Sequence, residues 1–93
     1  MTYALSAMLL FAAAANSPSP TTLELAKAIS EFKNSVVSAN DVRRPVCRGI
    51  EEEPTEAVCT WQQRQGSRWQ RFTTYVAVDA RGWHLIDEPA PAK

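Results

Sequence analysis

The apolar pattern of this chain changes period once. Between Thr21 and Asn40 apolar residues recur every three or four positions, and beyond Asp41 they alternate every second residue. A helix repeats every 3.6 residues and a strand every two, so the order is one helix followed by strands.

The helical segment opens on Thr21 with Glu24 three residues on, the spacing of a capping box in which each side chain satisfies the other's free backbone N–H. Leu25, Ile29, Phe32 and Val36 follow at steps of four, three and four, with Ala28 beside them. They form one apolar face, with Glu24, Lys27, Glu31 and Lys33 away from it, and Asn40-Asp41 is the expected stop. The polar face carries both signs of charge, which favours burial on a sheet over a membrane surface.

The strand segment divides at its turn residues. Arg44–Ile50 reads as a first strand with Pro45 at its start or on an edge, and Glu51-Glu52-Glu53-Pro54 as a solvated turn. Ala57–Arg64, Trp69–Val78 and Trp83–Asp87 follow, joined at Gln65-Gly66-Ser67 and Asp79-Ala80-Arg81-Gly82. Consecutive strands with short connections imply an antiparallel meander, and the helix then lies across one face of it, an α+β fold. Tight turns place Cys59, Trp61, Phe72, Val76, Val78, Trp83 and Leu85 on the side facing the helix. A slip of one residue would exchange Trp61 for Val58 and move Trp83 outside.

Ahead of the helix the chain is uncharged as far as Glu24. Residues 4–15 are apolar but for Ser6 and end in Ala13-Ala14-Ala15, the pattern of a secretory signal peptide, although no Lys or Arg precedes the apolar run. The run is shorter than the roughly 20 apolar residues a spanning helix needs. The expected organisation is therefore a cleavable signal peptide over residues 1–15, an extended leader over 16–20, a single domain over 21–88 and a disordered tail over 89–93. The expected location is periplasmic or secreted, with no stable membrane anchor after cleavage.

Export bears on Cys47 and Cys59, the only two cysteines. An oxidising compartment permits a structural disulfide between them. Their spacing is unlike the C-x-x-C of a redox pair. With His84 the single histidine, no close pair of metal ligands exists either. No metal and no cofactor are expected.

Catalytic chemistry finds little support. His84 has no marked nucleophile beside it, which makes a minimal hydrolase the weakest reading. The carboxylates of Glu51, Glu52, Glu53 and Glu56 sit in a solvated turn without the ligand spacing of a calcium loop. Arg64, Arg68 and Arg71 with Trp61 and Trp69 resemble the mix found in single-strand nucleic-acid binders. However, ten Lys and Arg against ten Asp and Glu leave no positive excess, and nucleic acid is not the expected partner.

The remaining candidate is the sheet face away from the helix. Trp69, Arg71, Thr73 and Tyr75 line it on the central strand, with His84 and Ile86 alongside. Tyr, Trp and Arg are enriched where proteins meet. The expectation is a small exported, disulfide-clamped, non-catalytic protein. It would bind another envelope or extracellular protein through this face, as a protein-binding or inhibitor-like module. The alternative is a glycan- or peptidoglycan-binding module using the same aromatics.

Overall fold

The computed structural model describes residues 19–92, so the expected signal peptide, most of the leader and Lys93 lie outside the described residues. Helix α1 spans Thr22–Lys33, a 3₁₀ turn covers Ala39–Asp41, and five strands follow. These are β1 (Val42–Ile50), β2 (Glu53–Gln65), β3 (Arg68–Asp79), β4 (Gly82–Leu85) and the two-residue β5 (Ala90–Pro91). The sheet order is β1-β2-β3-β4, all antiparallel, with β5 pairing back on β3. The expected helix and four-stranded antiparallel sheet are both present.

The helix begins as its sequence dictates. Thr21 Oγ1 accepts from the Glu24 N–H at 3.1 Å, and Glu24 Oε1 accepts from the Thr21 N–H at 2.9 Å. It ends earlier than expected, at Lys33 rather than near Asn40. Asn34 adopts the left-handed conformation, φ 55° and ψ 39°, which an asparagine tolerates better than most residues. The Ser35 N–H then bonds Ser30 O at 3.1 Å and the Asn34 N–H bonds Glu31 O at 3.4 Å, the two bonds of a Schellman motif. Ser30 Oγ fastens the departing chain by accepting from the Val37 N–H at 2.8 Å and donating to Ala26 O at 2.8 Å.

This early stop corrects the expected core. Phe32 is 43 % exposed and Val36 94 %, so neither belongs to it. The helix instead buries Leu25, Ala26, Ala28 and Ile29 against Val42, Ala57, Cys59, Trp61, Val76 and Leu85. Phe72, Trp83 and Cys47 pack half-buried at the margin. Trp61 is fully buried in this cluster, and the helix packs over the sheet chiefly on β4 and β1.

The register places the strand residues as the alternation predicts. Trp61 stands opposite Phe72, Ala57 opposite Val76, Val76 opposite Leu85, and Val78 opposite Trp83. Gly66 takes φ 66° in the β2–β3 turn, where no atom lies within 4 Å of the Cβ it lacks; backbone conformation, not space, selects glycine there.

Two departures remain. The β1–β2 turn is tighter than expected, since Ile50 pairs with Glu53 and only Glu51 and Glu52 form the turn. The tail read as disordered instead returns along the outer edge of β3. The Ile86 N–H bonds Tyr75 O at 2.9 Å, Thr74 Oγ1 donates to Asp87 O at 2.7 Å, and Ala90 and Pro91 pair with Thr73 and Phe72. The Ala92 N–H reaches Arg71 O at 2.9 Å, so backbone pairing holds the segment, and Pro89 within it is buried.

Candidate functional site

Cys47 and Cys59 face each other directly across β1 and β2 and are joined by a disulfide. Cys59 is fully buried among the core residues, so the bond ties the edge strand β1 to the interior.

On the opposite face of the sheet lie Arg43, Val46 and Arg48 from β1, then Val58, Thr60, Gln62 and Arg64 from β2. Trp69, Arg71, Thr73 and Tyr75 follow from β3, whereas His84, expected beside them, reaches the helix at the β4 edge and shares a hollow with Ala28, Glu31 and Phe32. The helix packs on β4 and β1 from the other side. Val46 is 65 % exposed and Tyr75 45 %.

Trp69 is not the open stacking ring that its sequence context suggests. The Arg43 guanidinium carbon sits 3.9 Å from the centroid of its ring and that of Arg64 4.7 Å, both over the ring. Cation–π attraction and the planarity of guanidinium favour this arrangement. Arg43 Nε donates to Gln62 Oε1 at 2.7 Å, and Arg64 Nε lies 3.3 Å from Asp41 Oδ1. Partial desolvation and the neighbouring Arg44 and Arg64 push the Arg43 guanidinium below its ordinary pKa.

Between this platform and the disulfide, β1 carries a bulge. Its register with β2 shifts by one residue between Arg43 and Val46, so the extra residue falls at Arg44-Pro45. Pro45 has no N–H to lose from the ladder, in keeping with its place on an edge strand. Arg44 takes φ 56°, a left-handed conformation that costs a side-chain-bearing residue on the order of 1–3 kcal/mol. The bulge opens a cavity of about 350 Å³ lined by Arg44, Val46, Thr60, Trp61, Gln62 and Arg71.

The other expected residues stand apart from it. Thr73 Oγ1 donates to Cys59 O at 3.0 Å and accepts from Thr60 Oγ1 at 3.4 Å, which ties it into its own sheet. Tyr75 lines a second hollow of about 310 Å³ with Val58, Asp87 and Glu88. His84 pairs with Ala77, eight residues beyond Trp69 on β3 or roughly 26 Å at about 3.3 Å per residue. Its Nε2 lies 3.0 Å from Asp79 Oδ1 and its Nδ1 3.9 Å from Glu31 Oε1, so both ring nitrogens face carboxylates. The Arg81 backbone N–H and the bond to His84 hold Asp79 below its usual pKa.

The basic and aromatic cluster read from the sequence is divided by the sheet, because Trp61 is on the core side and Trp69 on the other. Sequence reading missed Arg43, Arg44, Thr60 and Gln62. The Arg-Arg-Pro triplet ahead of Val46 was the available signal, since proline near a strand edge marks a bulge. Among the described residues no group of three or more His, Cys, Asp or Glu is placed to hold a metal ion. Comparison with family models, curated proteins and solved structures yields no match.

Proposed function

We propose that this chain is an exported binding module that engages another envelope or extracellular protein through the open face of its sheet and performs no catalysis. One observation carries the reading: the helix covers only one face, and the other presents Val46, Arg48, Arg64, Arg71 and Tyr75 exposed side by side. Arginine and tyrosine on a rigid sheet supply contact area at little cost in side-chain freedom. The Cys47–Cys59 disulfide supports export, because such bonds persist in oxidising compartments.

The sugar-binding alternative relies on aromatic stacking, and with Arg43 and Arg64 over Trp69 it would fall to Tyr75. A hydrolase would need a ring nitrogen of His84 aimed at a nucleophile, whereas both nitrogens face carboxylates.

The test is affinity capture from the extracellular and envelope fractions of the native host. A stoichiometric protein partner retained by the wild-type domain and lost with Trp69→Ala plus Tyr75→Ala supports the reading. No retained partner across a range of salt concentrations removes it, and sedimentation with purified cell wall would put the glycan reading in its place.

A further inference from the structure

We infer that the cavity at the β1 bulge is an anion subsite for a glutamate or aspartate side chain of an acidic segment in the partner protein. The inference rests on the sheet-face reading and gives that partner a chemistry. Arg44 and Arg71 line the cavity from β1 and β3, with Thr60, Trp61 and Gln62 of β2 between them. Guanidinium presents paired N–H donors in a plane that matches a carboxylate, and a charge-assisted bond of this kind is among the stronger hydrogen bonds.

Two further observations select the occupant. The first is the backbone at Arg44. Its left-handed conformation lies within the bulge that opens the cavity, and bulges commonly re-aim a side chain beside a functional site. The second is the surroundings. Val46, 65 % exposed, lines the same cavity, and Val58 and Tyr75 continue the surface along the face. An acidic side chain flanked by apolar ones on an extended peptide meets both chemistries. A free inorganic anion would leave the valines unused, and a sugar would meet Trp69 already covered by two arginines.

Charge placement supports this orientation. Arg64 and Arg68 lie at the β2–β3 turn, next to Arg43 and Arg44, while Glu51, Glu52 and Glu53 lie at the far end of β2. The neutral chain is thus basic at the end that holds the cavity. Attraction there is local and falls with added salt.

The experiment measures fluorescence anisotropy of a labelled octapeptide, Glu-Leu-Glu-Ser repeated twice, against the oxidised protein. Its Gln-for-Glu counterpart serves as control, and inorganic phosphate and a sulfated disaccharide as competitors. Arg44→Asn keeps a residue tolerant of the left-handed backbone while removing the charge, and Arg71→Gln keeps polarity. Each should weaken the acidic peptide about tenfold, the loss of one charge-assisted bond. Arg68→Gln removes a charge from the same end without touching the cavity and should weaken binding by no more than about twofold. Circular dichroism and an intact disulfide establish that each variant folds.

No binding of the acidic peptide, equal binding of the Gln peptide, or an equal loss with Arg68→Gln overturns the proposal. So does tighter binding of the sulfated disaccharide than of the peptide. Salt-sensitive self-association abolished by Arg44→Asn would name a second copy's Glu51–Glu53 turn as the occupant and overturn it likewise. A captured partner that Arg44→Asn and Arg71→Gln leave undiminished sinks the subsite while the sheet-face reading stands. Peptide binding at the cavity without any captured partner supports the subsite and removes that reading alone.

Discussion

The indole N–H of Trp61 donates to Oε1 of Gln63, 3.1 Å away and two residues along the same strand. Both side chains are buried on the helix side of the sheet, where each is the other's means of satisfying a polar atom out of water. Among the described residues no buried side-chain nitrogen or oxygen lacks a partner.

Trp61→Phe therefore does two kinds of damage, a lost ring volume and a Gln63 oxygen left unpaired. The unpaired amide alone is worth about 1–3 kcal/mol. Adding Gln63→Leu to Trp61→Phe should return part of the loss in urea melts. A double variant no more stable than Trp61→Phe would show that the hydrogen bond contributes little.

The disulfide closes a stretch of sequence separation 12. In the chain-entropy model such a closure contributes about 3 kcal/mol, a large share of the stability of a domain this small. Reduction, or Cys47→Ala with Cys59→Ala, should lower the denaturation midpoint accordingly. Cys59→Ser should cost more than Cys47→Ser, because only Cys59 is fully buried and its hydroxyl would lack water. Equal midpoints for oxidised and reduced protein would refute the clamp.

Arg64 and Trp69 face each other in register and in space. A double-mutant cycle with Arg64→Met and Trp69→Leu should give a coupling of about 0.5–1 kcal/mol, the range of an exposed cation–π pair. A coupling indistinguishable from zero would mean that the ring does not hold the guanidinium in place.

Asp79 has its carboxyl held below its ordinary value of 3.8, first by the Arg81 backbone N–H and then by His84. A carboxylate with a depressed folded pKa contributes stability above its unfolded pKa and loses it as pH falls through the folded one. Stability measured between pH 5 and pH 2 should thus fall below about pH 3.8, and Asp79→Asn should flatten that limb. An unchanged acid limb in Asp79→Asn would assign the loss to other carboxylates.

The sheet was legible because alternation and short turns leave few registers that keep Cys59, Trp61, Phe72, Val76 and Leu85 on one side. The helix boundary was not. Val36 continues the four-and-three spacing past the point where Asn34 turns left-handed, and periodicity does not register a backbone reversal. The tail is illegible for a different cause, since Ala90 and Pro91 pair with an edge of β3 that β4 leaves open, which no periodicity within the tail announces. The basic cavity escaped because an alternation argument assumes an unbroken ladder, and the bulge at Arg44-Pro45 breaks it.

That bulge also alters the free edge of the sheet. The return of β5 occupies part of the outer edge of β3, which leaves β1 as the long free margin of the sheet. Along its first half β1 is interrupted by a proline and a left-handed arginine, features that deny a neighbouring strand a continuous run of backbone partners. Straightening it, with Arg44 deleted and Pro45 replaced by valine, would supply an uninterrupted template for strand addition, so the out-of-step Arg44-Pro45 pair disfavours sideways growth of the sheet into a fibril.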